Sequence, residues 1–140
     1  MTAMNQSQRD AFLAGARIAT LVTLNPDDFP TGVPVWFEWD GTTAIVFTSA
    51  TSPKVARIRR DGRVCLTIAE PAGLREAWVT IEGIASIENH GGIELARRLA
   101  PRYYTPERAA AVMPGWEAAA ASWVVIRITP TRIRSVGPGM

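Results

Sequence analysis

The chain has 140 residues, 47% hydrophobic and 20% charged, which suits one globular domain spanning residues 1–140. It contains no run of about eighteen apolar residues, which disfavours a membrane-spanning helix, and its start, MTAMNQSQRDAF, lacks an apolar signal region, so a cytoplasmic protein is expected. One histidine and a net charge of +2 place the pI near 9.2, a slender basis for nucleic-acid binding, and the single Cys65 excludes an internal disulfide and fits a reducing compartment.

Residues 5–15 read as a short helix, with Ser7 as its cap, Phe12 and Leu13 as its apolar stripe and Gly15 as its stop. Arg17 to Leu24 is β-branched and apolar, the pattern of a strand. The stretch NPDDFPTG predicts a turn. From Val33 to Trp39 the pattern alternates, so Val35, Phe37 and Trp39 share one face and Trp36 and Glu38 the other. Asp40-Gly41 is a hairpin signal, and AIVFTS is the next strand. Ser52-Pro53-Lys54 opens a helix: Ser52 suits the N-cap and Pro53 the first helical position, where its missing N–H costs nothing. Val55 and Ile58 fall on one side of that helix, Lys54, Arg57 and Asp61 on another, and Gly62 ends it.

VCLTIA follows as a strand in which Cys65 reads as a small buried hydrophobe. Ala77 to Glu88 is a longer strand whose Gly83 marks a bulge or close backbone approach. GIELARRLA predicts a helix stopped by Pro101. TPERAAAVMPGWEAAAAS predicts one or two helices around Pro114-Gly115, with Thr105 as cap. The last strand runs through WVVIRITPTRIRSV and is bent or at an edge at Pro130; the tail is GPGM. The first three strands have no crossover helix between them and read as an antiparallel meander. Five or six strands with a helix inserted midway predict a mainly β, α+β chain built as a small closed or split barrel.

Much chemistry is missing. There is no Gly-x-Gly-x-x-Gly and no phosphate loop ending in Gly-Lys-Ser/Thr. His90 stands alone in a turn, so no metal site is expected. No nucleophile–base pair can be assembled, and the catalytic residues are unknown at this level. A protein this short of acid–base groups has to borrow its chemistry, and a redox cofactor whose ring carries the hydride fits that description.

The best local signal is Ser52-Pro53-Lys54. A helix N-terminus offers unpaired N–H groups and partial positive charge; Ser49, Thr51 and Ser52 add hydroxyls, and Lys54, Arg57 and Arg60 add cations. These residues compose a phosphate cradle or, equally in keeping with the pattern, a capped surface helix with a solvated basic face. The backbone of Pro34 to Phe37 offers a flat ring a place to lie, with Trp36, Trp39 and Trp78 as walls; the same tryptophans also suit a barrel interior or a dimer interface.

The ordered set ARIATLVTL, GVPVWFEWDGTTAIVFTS, K-x-x-R-I-R-R-D-G-R-V and WVTIEGIASI, over residues 15–90, resembles the flavin/deazaflavin oxidoreductases with the pyridoxamine 5'-phosphate-oxidase-like, FMN-binding split barrel. The ending V-G-P-G-M resembles the actinobacterial deazaflavin-dependent branch. The resemblance implies a homodimer with cofactor at the subunit interface and a small-molecule substrate, with no nucleic acid and no membrane. It implies that Lys54 holds the cofactor phosphate with Ser49 and Ser52 nearby, and that Thr48 and the main chain of Val35, Trp36 and Phe37 face the ring. Arg60 would serve the phosphate or the dimer, and Trp78 would reach across from the partner subunit. Where relatives carry Arg-Asn-Leu-Arg this chain has Ala56-Arg57-Ile58-Arg59, which leaves the role of Arg57 open. No histidine follows His90, which disfavours pyridoxamine phosphate itself as substrate. The expected activity is hydride transfer between the deazaflavin coenzyme F-420 and a small conjugated substrate. The alternatives are an FMN-dependent oxidase or reductase, and a non-catalytic flavin, deazaflavin or haem binder. The polyglutamate tail of the deazaflavin would call for cations beyond the cradle, for which Arg57, Arg59, Arg63, Arg127, Arg132 and Arg134 are the candidates.

Overall fold

The computed structural model describes residues 2–137. Along the chain come α1 (Gln6–Ala14), β1 (Ala19–Leu24), β2 (Pro30–Val35), β3 (Glu38–Trp39), β4 (Ala44–Ser49) and α2 (Pro53–Arg60). Then follow β5 (Arg63–Ala69), β6 (Trp78–Glu88), α3 (Gly92–Tyr103), α4 (Pro106–Ala119), a 3-10 turn (Ala120–Ser122) and β7 (Trp123–Val136). The strands form a seven-stranded sheet in the order β2-β1-β5-β6-β7-β4-β3, and its paired neighbours are antiparallel.

The two edge strands of that sheet, β2 and β3, are consecutive in sequence, with just Trp36 and Phe37 between them. A flat sheet of this size would hold its edges about 29 Å apart, at roughly 4.8 Å per strand. The three peptide steps from Val35 to Glu38 reach at most about 11 Å. The sheet therefore has to curl until its edges meet, and the fold is the expected split barrel. Period-two alternation fills its interior: Leu21, Phe37, Leu66, Ile68, Val79, Ile81, Ile126 and Ile128 are all fully buried. Phe12 and Leu13 of α1 and Ile58 of α2 join the same core. On the opposite face of β4 and β7, a second cluster of Ile45, Val125, Leu95 and Leu99 seats α3.

Several expectations change in detail. The cap of α1 is Asn5, not Ser7; its side chain accepts from the Gln8 N–H while the Gln8 side chain accepts from the Asn5 N–H, two orphan donors met reciprocally. Pro30 to Gly32 belong to β2 rather than to a turn. The meander is interrupted, because β2 pairs with β1 while β3 pairs with β4, which raises the strand number to seven. Pro101 lies inside α3 and Pro114 inside α4, and neither ends its helix; Leu99 and Ala100 are buried beside Pro101, so packing outweighs a lost N–H. Cys65 is only half-buried, since Val64, Leu66 and Ile68 take the inward face of β5. The tail expectation falls on residues 138–140, outside the described residues.

The predicted bulge is present. The β6–β7 register shifts between Glu82 and Gly83, and Gly83 faces Pro130 across the ladder. The bulge gives Pro130, which has no N–H to donate, a place in the middle of a long strand. A Cβ at Gly83 would strike the Thr129 carbonyl oxygen, with the Ile128 side chain next nearest. Both are barrel wall, so Gly83→Ala is expected to cost about 1–3 kcal/mol, read as a lower urea midpoint at unchanged m-value.

The β3–β4 turn is built on Asp40. Its Oδ1 accepts the Thr42 and Thr43 N–H groups at 2.8 and 2.6 Å and its Oδ2 the Thr43 hydroxyl at 2.8 Å. Partial burial pushes the Asp40 carboxyl up, but the hydrogen bonds from Thr43 and Thr42 outweigh it and hold the pKa at about 2. A depressed folded pKa contributes stability that is complete above the ordinary carboxylate value and lost as pH falls toward 2. Asp40→Ala should therefore be less stable than the wild type at pH 7, and the gap should close between pH 4 and pH 2 in denaturant titrations.

Candidate functional site

β4 ends at Ser49, and the Ala50 N–H donates to the Ser122 carbonyl at 2.7 Å, fixing the loop that leads into α2. The Ser49 and Thr51 hydroxyls lie 3.0 Å apart. Ser52 is the N-cap by backbone conformation, but its hydroxyl does not cap the helix; it accepts from the Lys54 ammonium at 3.1 Å. Pro53 has no N–H, so α2 begins with hydroxyls, a cation and an N-terminus without a side-chain cap. Lys54 is half-buried. Burial, and then the nearby Arg57 charge, push its pKa below the ordinary lysine value. Among the described residues it makes no ion pair.

The other cations of α2 are placed differently. Arg57 donates through Nε to the hydroxyl of Thr23 at 2.7 Å. Arg60 donates to the carbonyls of Leu24 and Asn25 and lies 3.8 Å from the Asp28 carboxylate. Arg60 is thus bolted to the β1–β2 turn and helps to seat α2 rather than joining Lys54. Of the arginines considered for an anionic tail, Arg63 pairs with Asp61, Arg127 with Glu88 and Asp40, and Arg134 with Glu82. Arg57, Arg59 and Arg132 make no ion pair among the described residues.

The ring-side residues split between two faces. Val35 and Phe37 point into the barrel core, so at these positions main chain, not side chain, is what could meet a ligand. Trp36 points outward and stacks on Tyr103, with centroids 4.6 Å apart and planes 6° from parallel. Thr48 follows Ala44 and Val46 on the inward side of β4, while Ser49 follows Ile45 and Phe47 on the outward side, as strand alternation requires. Trp78 is 37% exposed and pairs with Val136, whereas Ser49 pairs with Trp123. These are the two ends of β7, roughly 40 Å apart along the strand at about 3.3 Å per residue, so Trp78 does not meet the cradle through the ladder of its own chain.

An aromatic cluster beside the cradle escaped the sequence reading. Phe47 stacks on Trp123 at 5.3 Å, and Trp116 of α4 stands 5.8–6.2 Å from Phe47, Trp36, Trp123 and Tyr104. Tyr103 donates its hydroxyl to the Arg17 carbonyl at 2.7 Å and meets the Phe37 N–H at 3.5 Å. Burial pushes the Tyr103 phenol above its usual pKa, so it acts as a neutral clamp on the seam, the Trp36–Phe37 link between β2 and β3. No signal short of the tertiary fold brings residues 36, 47, 103 and 116 together. Three concavities of about 360–400 Å³ lie elsewhere: under α1, outside β5 and β6 near Cys65, and beside Arg17. None borders Lys54. Among the described residues no group of three or more His, Cys, Asp or Glu side chains is arranged for a metal, and no helix is long and apolar enough to cross a membrane.

The family profile described as pyridoxamine 5'-phosphate oxidase matches residues 6–137. The chain belongs to that family. It is 34% identical over 102 residues to a protein named F-420H(2)-dependent biliverdin reductase from Mycobacterium tuberculosis (strain CDC 1551 / Oshkosh), covering 69% of this chain and 70% of the relative. The conserved hypothetical protein Rv2991 from Mycobacterium tuberculosis superposes with a TM-score of 0.75 at 26% identity, over 98% of this chain and 91% of that one. A structure titled as an F-420 reductase superposes at 0.71 and 21% identity, over 89% and 94%; at that identity the likeness speaks for the fold alone.

Within the family fold, the residues around α2 suit a phosphate-bearing, flat cofactor. Hydroxyls and an unpaired ammonium meet at an open helix N-terminus, and the seam backbone lies one strand away from the end of β4. The aromatic cluster then has a mechanical role. Of α4, Ala109 is the buried residue, and Trp116 is its aromatic link to the outer face of β4 and β7. Trp116→Ala should loosen α4: amide exchange across residues 106–119 should speed up by about tenfold or more, while exchange in β1, β5 and β6 stays at the wild-type rate.

Proposed function

We propose that this oxidoreductase reduces a small conjugated substrate with hydride from the deazaflavin coenzyme F-420. The observation that carries the reading is the half-buried Lys54 at the start of α2, held by the Ser52 hydroxyl and without an acidic partner among the described residues. A partly desolvated cation in that position calls for an anion. The match to a relative named for dependence on reduced F-420 supports the choice of ring.

In this reading Lys54, Ser52 and Ser49 hold the phosphate, and the main chain of Val35 to Phe37 with Thr48 faces the ring. When bound, the coenzyme supplies the hydride. The chain contributes position. The carboxylates on and beside β3 are already engaged, Glu38 with Arg98, Asp40 with its own turn and Asp10 with the Trp39 indole N–H, so the proton comes from water. A homodimer completes the site: Trp78 stands exposed at the far end of β7 from the cradle, and the three concavities described above do not border Lys54. A cytoplasmic setting suits the half-buried free thiol of Cys65.

Titrating the purified protein with F-420 and with FMN, and following tryptophan quenching, tests the reading. Tighter binding of F-420, with turnover on a panel of conjugated carbonyls and tetrapyrroles, is the expected result. Tighter binding of FMN replaces the ring, turnover-free binding replaces catalysis with storage, and no binding of either removes the proposal. Lys54→Ala should raise the Kd of the bound coenzyme by about 10- to 100-fold, the loss of one charge-assisted contact. Unchanged affinity in that variant rejects the cradle.

A further inference from the structure

Thr23 is fully buried at the end of β1 and stands out as a polar side chain among the buried residues. A buried hydroxyl has to be hydrogen-bonded, and its partner is the Nε–H of Arg57 at 2.7 Å. That one bond fixes the guanidinium and leaves both terminal nitrogens to point elsewhere. Arg57 lies three residues after Lys54, one turn along the same helix face. Both are half-buried, and among the described residues neither has a carboxylate partner. The contrast with their neighbours is informative. Arg60 has Asp28 and Arg63 has Asp61, and Arg59, which has no ion pair among the described residues, is exposed to solvent, whereas Lys54 and Arg57 are half-buried. Like charges one turn apart repel, and burial first, then the Arg57 charge, lowers the Lys54 pKa. Without a ligand the arrangement is unfavourable, and an anion relieves it.

We infer that Thr23 is a positioning residue that latches Arg57 as the second cation of the cradle. The site then takes a ligand whose phosphate end carries two negative charges. That chemistry has two sources: the dianion of a phosphomonoester, or a phosphodiester with a carboxylate close behind it. The inference rests on the reading of Lys54 as the phosphate ligand, and it gives Arg57 a role.

Four ligands separate the cases: FMN, riboflavin, F-420, and the deazaflavin chromophore without phosphate or tail. Thr23→Val keeps the shape of the side chain and removes the acceptor. It should weaken the phosphate-bearing member of the bound pair by about tenfold, with shallower salt dependence, and leave the phosphate-free member unchanged. Thr23→Ser should restore the wild-type ratio. A merely structural role for Thr23 would instead weaken both members alike, and that result overturns the latch, as does an unchanged ratio in Thr23→Val. Arg57→Gln is the parallel variant that leaves the barrel interior untouched. It should show the same selective loss, and if it does not, the second cation is refuted even where Thr23→Val fails to fold. Lys54→Ala in the same series keeps the two readings apart. Loss in Lys54→Ala with none in Arg57→Gln sinks the latch alone, and no loss in either sinks both. The pair that responds names the source: the FMN pair indicates the phosphomonoester, the deazaflavin pair the phosphodiester with its carboxylate.

Discussion

Two residues hold this barrel shut. Hydrogen bonds run continuously from β2 around to β3, but between those two edges the closure is covalent, through Trp36 and Phe37. The consequence is a seam where the chain leaves one ladder and has not yet joined the next. Its side chains still alternate, so Phe37 anchors the seam in the barrel core and Trp36 anchors it in the aromatic cluster outside. Tyr103 of α3 then clamps it, with its hydroxyl between the Arg17 carbonyl and the Phe37 amide. A backbone free of one ladder yet rigidly held on both faces is well suited to meet the edge of a flat, hydrogen-bonding ring. An ordinary strand would have its polar groups used by neighbours.

The placement of charge follows from the same frame. β4 pairs with β3 at one edge and with β7 at the other side, and α2 leaves from its end. The C-terminal half of α2 is fastened to β1 by Arg57 on Thr23 and by Arg60 on the turn carbonyls. Its N-terminal half has no such fastening; Lys54 turns back to Ser52. The helix is therefore oriented by its tail and offers its head. This division assigns Arg60 to holding the helix in place, and it shows why a count of basic residues between Lys54 and Arg63 overstates what is available to a ligand.

How far the sequence carried this reading depends on the range of the interactions involved. Ser52-Pro53 as a helix start, the Asp40-Gly41 turn and the Gly83 bulge were legible because each is decided within a few residues, by φ, by a missing N–H or by a short side-chain bond. The shared inward face of Val35 and Phe37 was legible for the same reason. The break at Trp36–Phe37 was not, because nothing local distinguishes a strand that continues from one that changes partners. Pro101 misled because its local penalty is outweighed by packing, directly visible in the burial of Leu99 and Ala100, while the single helix through Pro114 is one of the two outcomes that stretch allowed. Cys65 misled because it sits in an apolar run, of which β5 buries only the alternate residues Val64, Leu66 and Ile68. The Thr23–Arg57 bond joins residues 34 apart and the aromatic cluster gathers Trp36, Phe47, Tyr103, Trp116 and Trp123 from separate elements, so strand order had to be known before either could be seen.

Two half-buried cations, without an acid among the described residues, also carry an energetic meaning. Each loses hydration on folding and gains little in return, so the ligand-free chain gives up stability that a neutral pair would keep. A sequence selected for stability alone would place an acid beside Lys54, as it places Asp61 beside Arg63. Such an acid would occupy the helix N-terminus, where negative charge is already favoured, and would compete with any anionic ligand. Leaving the position open reverses the linkage: whatever binds there stabilises the fold in proportion to its occupancy. The pair of cations is thus a locally unfavourable arrangement held within a stable one, with the barrel core and the Thr23–Arg57 hydrogen bond fixing the geometry that repulsion alone would disperse.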